Sequence, residues 1–289
     1  MDEKTYDRTT DDMGNIIGME HVNVLVPNQQ MATDFYAGGL GFTRDPYMMV
    51  DTDNMWINVG EQQFHLPSRG TQVLRGHVGL VVPDLEGVKQ RLTHLSESGK
   101  LEGTMFTCSA DNGYVSATCP WGNKYRIYQA GSFGEMTLGI PYVEFDVEPG
   151  TAAGIGQFYM QVMKAPYTLT QDINGGVARV KVGRDQELVF RETAAPLPDY
   201  DGHHIAIYVA NFSGPHQFLC EHGLITQESD QHQYRFEDIV HPETGKFLFK
   251  IEHEVRSLFH PMYGREIVNR NPSQNLRAYS RGGDVLVVA

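Results

Sequence analysis

Histidine recurs at the start of similar strand-like segments along this chain of 289 residues. His21, His77 and His204 each stand at or near the head of an alternating apolar stretch, and Tyr142 takes the matching place in a fourth copy. Neutral imidazoles that converge from equivalent strands are common ligands of transition metals. The pattern therefore predicts metal chemistry at the heads of repeated strands.

The four segments mark an internal repeat of a whole supersecondary unit. Their starts lie 56, 65 and 62 residues apart, counted from His21 to His77, to Tyr142 and to His204. A near-constant step of this size is typical of repeated modules. Each module reads as a strand, a helix and about three more strands, with the helices expected at 29–36, 85–95, 151–163 and 214–222.

This pattern predicts an α+β fold of four βαβββ modules that form two incomplete mixed β-barrels, each with a concave face. A glycine-containing connector at 130–134 divides the halves. The expected organisation is a polar lead-in at 1–17, two-module domains at 18–133 and 134–256, and a C-terminal extension at 257–289.

The end of the chain allows several interpretations. Residues 249–254 alternate in charge, which predicts a solvated edge strand. The stretch 259–265 carries groups suited to a lid over a cleft, and the apolar residues 285–288 either add a strand or cover the other domain.

Composition narrows the class of partner. The formal charge of 23 − 36 = −13 repels nucleic acid and anionic lipid, so neither is expected to bind. There is no apolar run long enough for a spanning helix and no signal-peptide pattern behind Met1. Three cysteines without a paired framework fit a reducing, cytoplasmic location. A small-molecule substrate is the expected partner, and homo-oligomer formation stays open.

Several segments resemble the vicinal oxygen chelate superfamily, which includes glyoxalase I, type I extradiol dioxygenases and bleomycin-resistance proteins. The resembling segments are His21–Pro27, Phe35-Tyr36 before Gly39–Phe42, Gly76–Val78 and Pro120–Ile127. The resemblance extends from about residue 18 to 255, and a single chain of four modules is most similar in layout to the extradiol dioxygenases.

The resemblance implies that metal ligands come from the first and last strands of a module. The last-strand position of the first module is then His65, whereas Arg126 and Phe249 stand where glutamate is usual. The predicted metal ligands are His21, His65 and His77, with His204 and Glu252 as the second choice. Fe²⁺ is the expected metal, with Zn²⁺, Mn²⁺ and Ni²⁺ as alternatives.

Other residues are expected to serve the substrate. Arg126 cannot ligate a metal, but it can bind a carboxylate or stabilise an enediolate oxygen, and Tyr128 is paired with it as a catalytic residue. The small Gly79 leaves space beside His77 for a cavity. The expected substrate-binding residues are Asn23, Gln63, Trp121 and Tyr125.

The leading hypothesis is an oxidoreductase resembling extradiol dioxygenases that acts on a small oxygenated molecule, aromatic or carboxylate-bearing, chelated to the metal. One alternative is a lyase or isomerase of glyoxalase type, in which Glu61 or Glu20 moves a proton from an enediolate precursor. The other is a metal-free binding module like the bleomycin-resistance proteins. Metal content and oxygen use distinguish the three.

Overall fold

The computed structural model describes residues 6–47, 53–111, 113–268, 270–271, 273–274 and 282–283. Within them the four predicted modules are present, each with a strand, a helix and three more strands. The first contains β1 (Ile16–Asn23), α1 (Gln29–Ala32), β2 (Thr43–Arg44), β3 (Asn54–Val59) and β4 (Gln62–Pro67). The second contains β5 (Gly76–Val82), α2 (Leu85–Glu97), β6 (Thr107–Ala110), β7 (Val115–Thr118) and β8 (Lys124–Gln129).

The second half repeats this order. The third module contains β9 (Gly139–Val147), α3 (Ala152–Gln161), β10 (Tyr167–Asp172), β11 (Gly175–Gly183) and β12 (Gln186–Glu192). The fourth contains β13 (His204–Val209), α4 (Ser213–Glu221), β14 (Ile225–Asp230), β15 (Gln233–Val240) and β16 (Phe247–Ser257). Helix α1 continues as a π-helix over Thr33–Gly39, and Arg8–Asp11 is a short 3-10 helix.

Local sequence explains the predicted helices well, as α2 illustrates. The Asp84 side chain accepts a hydrogen bond from the Gly87 N–H and caps the first turn. Val88, Leu92 and Leu95 follow at helical spacing and are the buried residues of this helix. The helix therefore starts where its cap residue stands and turns its apolar stripe toward the core.

The sixteen strands form two eight-stranded mixed sheets, which confirms the predicted fold class. The first sheet has the order β14-β15-β16-β13-β1-β4-β3-β2, and the second has the order β10-β11-β12-β9-β5-β8-β7-β6. In each module the first strand runs parallel to the last, and the first strands of two modules pair antiparallel at the sheet centre. Neither sheet closes into a complete barrel.

The pairing of modules differs from the predicted one. The first module shares a sheet with the fourth, and the second with the third, so each sheet takes strands from both 18–133 and 134–256. The short connector after β8 lets β9 lie antiparallel beside β5, and this leaves β1 to pair with β13. Strand β1 also begins at Ile16, inside the predicted lead-in, because that side chain is buried.

The described part of the C-terminal extension lies over the first sheet. The Tyr263 ring packs against Tyr208 of β13 at 4.9 Å, and Arg265 donates to Gln63 Oε1 at 3.0 Å. Strand β16 lies between β13 and β15, so the edge-strand interpretation of residues 249–254 was wrong. The apolar residues 285–288 lie outside the described residues.

One large hydrophobic cluster extends through all four modules and holds the sheets in place. Its largest buried side chains are aromatic, among them Phe35, Phe145, Phe190 and Phe236. None of the helices in the described ranges is both long and apolar enough to cross a membrane.

Candidate metal centre

Three histidines from three neighbouring strands of the first sheet lie together on its inner face. One side-chain nitrogen from each of His21, His65 and His204 lies within 4.8 Å of the others. Strand register produces this meeting, because His65 on β4 and His204 on β13 both stand opposite Asn23 of β1. Paired positions share a face of the sheet, and His21 lies on that face two residues before Asn23.

Each of the three imidazoles has one nitrogen occupied by an oxygen acceptor. The contacts join His21 Nδ1 to Glu20 Oε2 at 3.0 Å, His65 Nε2 to Asn54 Oδ1 at 2.7 Å, and His204 Nδ1 to Glu252 Oε1 at 3.2 Å. Because carboxylate and amide oxygens only accept hydrogen bonds, the ring nitrogen that faces one carries the proton, and the other ring nitrogen keeps its lone pair. The Nε2 atoms of His21 and His204 are buried without a hydrogen-bond partner. Metal-binding histidines show this arrangement.

The same environment favours neutral imidazole. Burial, followed by the nearby charge of His21, lowers the pKa of His65 well below its usual range, and the same two causes lower the pKa of His204. At neutral pH both rings therefore offer a free lone pair. The Trp56 ring stacks on His65 with centroids 4.0 Å apart and shields it on one side.

A buried network of acids and arginines surrounds the histidines. Arg256 contacts Glu20 and Glu254. Arg235 contacts Glu252 and Glu254, both at 2.5 Å. Three carboxylates and two guanidinium groups give 2 − 3 = −1, so the pocket would favour an added cation.

A β-bulge explains how Glu20 reaches this network. The register of β1 against β13 shifts between Met19 and His21, so Glu20 is the extra residue of the bulge. Its carboxylate accepts from Tyr208 at 2.9 Å as well as from His21. Burial opposes its ionisation, but Arg256 and these hydrogen bonds outweigh burial and lower the pKa of Glu20 to about 2.

Glu252 differs from Glu20 in its proton affinity. Burial raises the pKa of the Glu252 carboxyl, although Arg235 partly opposes the rise. A carboxylate with a raised pKa is a better proton acceptor than one held near 2. Three acids contact the histidines, since Glu254 Oε2 also lies 3.7 Å from His204 Nε2. Of Glu20 and Glu252, Glu252 is therefore better suited to act as a base, and Glu20 is better suited to orient His21.

A cavity of about 490 Å³ opens next to Glu20 and Tyr208, and its lining residues do not include the three histidines. It shares Glu20, Gln63 and Tyr208 with their surroundings, and Tyr263 and Arg265 of the extension form part of its wall. Gln63 is held in place through its side-chain nitrogen, which donates to Asp45 and Asn58. The predicted substrate-binding residue Gln63 therefore lines the cavity wall.

Asn23 also lies at this site. Its side chain is buried between His65 and His204, and its Oδ1 has no hydrogen-bond partner among the described residues. Its amide nitrogen donates a long hydrogen bond of 3.5 Å to Gln72 Oε1. Asn23 is therefore placed to meet a molecule bound at the histidines.

His77 lies in the other sheet, which corrects its predicted place beside His21 and His65. Its Nε2 is 3.1 Å from the Tyr142 hydroxyl, and its Nδ1 is 3.7 Å from Glu144. The space expected beside Gly79 is filled, because a Cβ at that glycine would meet the Tyr142 ring at 2.3 Å. The pairing of the second module with the third causes this difference.

The two predicted catalytic residues also belong to the second sheet. Tyr128 contacts the Tyr142 hydroxyl at 3.0 Å, and Arg126 lies over the Tyr114 ring. Both stand on β8, which pairs with β5 and not with a strand of the first sheet. The structure therefore places Arg126 and Tyr128 with His77, apart from the three clustered histidines.

Two predicted substrate-binding aromatics are core residues. Tyr125 is buried and exchanges a 2.6 Å hydrogen bond with the Tyr36 hydroxyl. Trp121, in the turn after β7, packs against the hydrophobic cluster. Buried tyrosines usually satisfy their hydroxyl in this way, so no ligand is needed to explain Tyr125.

Sequence reasoning missed Trp56, Tyr208, Arg235, Glu254 and Arg256. A signal for two of them was present, because Glu252, Glu254 and Arg256 follow each other at period two and so share one face of β16. Alternation of ionisable residues on a strand was interpreted as solvent exposure, whereas here the face points into a charged pocket. The pocket itself depends on β13 and β1 lying side by side.

Comparison with known proteins shows the fold. No protein-family model and no curated protein sequence matches the chain. Glyoxalase I from Zea mays superposes with a TM-score of 0.57 at 13% identity, covering 87% of this chain and 95% of the other. A protein of Bacillus subtilis subsp. subtilis str. 168, provisionally named a dioxygenase, superposes with a TM-score of 0.54 at 17% identity, covering 84% and 86%. These comparisons show that the chain has the same fold as these two proteins, which is the fold that the sequence resemblance implies.

Proposed function

We propose that the chain is a metal-dependent enzyme whose metal is held by His21, His65 and His204. The observation that carries this proposal is the convergence of three imidazoles, two of them with buried and unpartnered nitrogens. His204, the second choice from sequence, replaces His77 in the ligand set. Glu252 then acts from behind His204 as an orienting group and not as a ligand.

Charge indicates the kind of substrate. When bound, a divalent metal supplies a Lewis acid that polarises chelating oxygens, and iron adds redox chemistry with dioxygen. The surrounding acids and arginines sum to −1, so the loaded pocket would carry +2 − 1 = +1. A small molecule that presents one anionic and one neutral oxygen would complete this balance. Tyr208 and Arg265 line the cavity where such a molecule would lie.

We favour an oxidoreductase of the extradiol type, with Fe²⁺ as the metal. Three neutral ligands do not change the charge of the metal, so the loaded pocket keeps its net positive charge, which supports binding of a singly ionised vicinal diol. Asn23 Oδ1, buried between two of the ligands, is placed to accept from a neutral hydroxyl of that diol.

A lyase or isomerase is the second candidate, and one observation favours it. The raised pKa of Glu252 suits a group that takes a proton from carbon and returns it to the neighbouring atom. Glu20, with a pKa of about 2, is a poor base, and Glu61 lies in the turn between β3 and β4 at the cavity wall.

Metal content tests the ligand set. The chain is reconstituted with Fe²⁺ without oxygen, desalted and analysed for iron. We expect His65→Ala and His204→Ala to lose most of the bound iron, because each removes one of three ligands. His77→Ala is the matched control, since it removes a strand-head histidine of the other sheet. Loss of iron in His77→Ala, with iron retained in His204→Ala, would contradict the proposed centre.

Oxygen use distinguishes the proposed oxidoreductase from the lyase or isomerase. The iron-loaded chain is assayed with a panel of catechols in an oxygen electrode, and with α-hydroxy carbonyl compounds under argon. Oxygen uptake with ring cleavage supports the oxidoreductase. Turnover under argon that Glu252→Gln abolishes supports the lyase or isomerase. Failure to retain any metal would leave a metal-free binding module.

A further inference from the structure

A second group of metal-ligating side chains lies at the far end of the first sheet. His216 and Cys220 stand on α4, and Glu228 stands on the edge strand β14. One possible ligand atom from each lies within 4.8 Å of the other two. The first two residues are four apart on the helix, so their side chains project from the same face.

The His216 ring contacts both of the other side chains. Its Nε2 lies 2.7 Å from Glu228 Oε1, and Cys220 Sγ lies 3.6 Å from Nε2 and 3.7 Å from Nδ1. In a tetrahedral zinc site, bonds of about 2.0 Å to nitrogen and about 2.3 Å to sulfur place these ligand atoms roughly 3.5 Å apart. The sulfur–nitrogen distance already fits that geometry.

Tyr234 supplies an independent observation. It is 1% exposed, and its hydroxyl has no hydrogen-bond partner among the described residues. It stands directly opposite Glu228 in the β14–β15 ladder, and its ring meets the His216 ring edge-on at 4.9 Å. A buried hydroxyl in that place lacks a partner that a ligated carboxylate or water would supply.

We propose that His216, Cys220 and Glu228 bind Zn²⁺, with Tyr234 as a supporting hydrogen-bond donor and a water in the fourth position. Nitrogen, sulfur and oxygen ligands together suit zinc better than Mg²⁺ or Ca²⁺. The site is separate from the three clustered histidines, because Tyr234 and Arg235 are successive residues on β15 and point to opposite faces. The metal would fasten α4 to the edge strand β14.

Cobalt gives a direct test because it takes zinc sites and reports sulfur ligation by absorption. The metal-free, reduced full-length chain is titrated with Co²⁺, and the thiolate-to-cobalt charge-transfer band is recorded, followed by displacement with Zn²⁺. The group of His21, His65 and His204 contains no sulfur, so cobalt bound there does not give the band. We expect the band in the wild-type chain and its loss on addition of Zn²⁺.

Variants of the three proposed ligands, with matched controls, test whether the charge-transfer band comes from this site. Cys220→Ser and His216→Ala should abolish it, and Glu228→Gln should weaken Co²⁺ binding by more than about tenfold. Cys108→Ser and His222→Ala are the controls, because each removes the same residue type elsewhere, and both should keep the band. Absence of the band in the wild-type chain, or its persistence in Cys220→Ser, would overturn the proposal. Circular dichroism of each variant verifies that it is folded.

Discussion

Residue type alone does not decide which histidine can bind a metal. His77 and His204 occupy equivalent strand positions, yet His77 Nε2 faces the Tyr142 hydroxyl at 3.1 Å, whereas His204 Nε2 is buried without a hydrogen-bond partner and has Glu254 Oε2 3.7 Å away. Glu252 lies 3.2 Å from His204 Nδ1 and Glu144 lies 3.7 Å from His77 Nδ1, and each of these acids also contacts an arginine. The difference between the two rings therefore lies at Nε2. A carboxylate behind one nitrogen leaves the other free for a ligand.

A buried histidine outside the site should make stability depend on pH. Burial lowers the pKa of His253 to about 3, against about 6.5 in an unfolded chain. Between these values the unfolded state holds one more proton, so acid favours unfolding. We expect this contribution to be complete above pH 6.5 and to fall by up to about 1.4 kcal/mol per pH unit below it. Urea unfolding between pH 7.5 and 4.5 measures the slope.

His253→Gln provides the comparison for this prediction. Glutamine keeps hydrogen-bonding groups near Tyr159 and the Ile251 carbonyl, which are the partners of the His253 ring. The variant should show a flatter fall in stability from pH 6.5 to 4.5 than the wild-type chain. His77 and His260 keep some pH dependence in both chains, because burial lowers the pKa of each to about 4. Equal slopes would refute the assignment to His253.

At the scale of elements, strand register determines which side chains lie together at the candidate site. Strand β1 pairs with β4 on one side and with β13 on the other, and in both pairings a histidine lies opposite Asn23. A shift of one residue would turn every side chain of the shifted strand to the other face and remove its ligand. The bulge at Glu20 is the single irregularity next to this row, and it turns an acid toward Arg256.

The start of β5 offers a test of how closely the central strands approach. Gly76 has φ +144°, and a Cβ there would lie 1.9 Å from the Glu144 carbonyl oxygen of β9. Gly76→Ala should therefore lower the free energy of unfolding by roughly 1–3 kcal/mol through this clash, in addition to the cost of the strained backbone. Gly70→Ala is the control, because Gly70 has φ +143° and nothing within 4 Å of its Cβ position. Chemical denaturation should show a clearly larger loss for Gly76→Ala, and equal losses would argue against the close approach.

At the scale of the molecule, the first sheet and the described part of the extension enclose one site. Module pairing brings His21, His65 and His204 together from distant parts of the chain, and residues after β16 form part of the wall of the cavity next to Glu20. The buried Arg265 side chain holds this cover, since it donates to Gln63 and Asp45 and lies over the Tyr47 ring. The lid proposed from the sequence of 259–265 thus has a structural anchor.

Replacing Arg265 should make residues 258–268 more mobile while leaving the two sheets intact. In Arg265→Met we expect amide hydrogen exchange across 258–268 to quicken by at least about tenfold, because a buried ion pair is broken. Exchange in β1 and β13 should stay unchanged. Arg184→Met is the control, since Arg184 also borders the cavity but is exposed and pairs with the exposed Glu135. Uniform exchange rates across wild type and Arg265→Met would exclude the anchoring role.

The sequence by itself determined the modules and their chemistry. Local structure depends on neighbouring residues, so it could be predicted from sequence. The predicted features are the α+β fold, the capped helix after Asp84, and the repeat marked by His21, His77, Tyr142 and His204. Only the tertiary structure decided which modules share a sheet. Similar strand heads can pair in more than one way, and the choice depends on contacts between residues far apart in the chain. For this reason His21 and His65 could be placed together from sequence, whereas the position of His204 beside them, with His77 in the other sheet, followed from the pairing of β1 with β13.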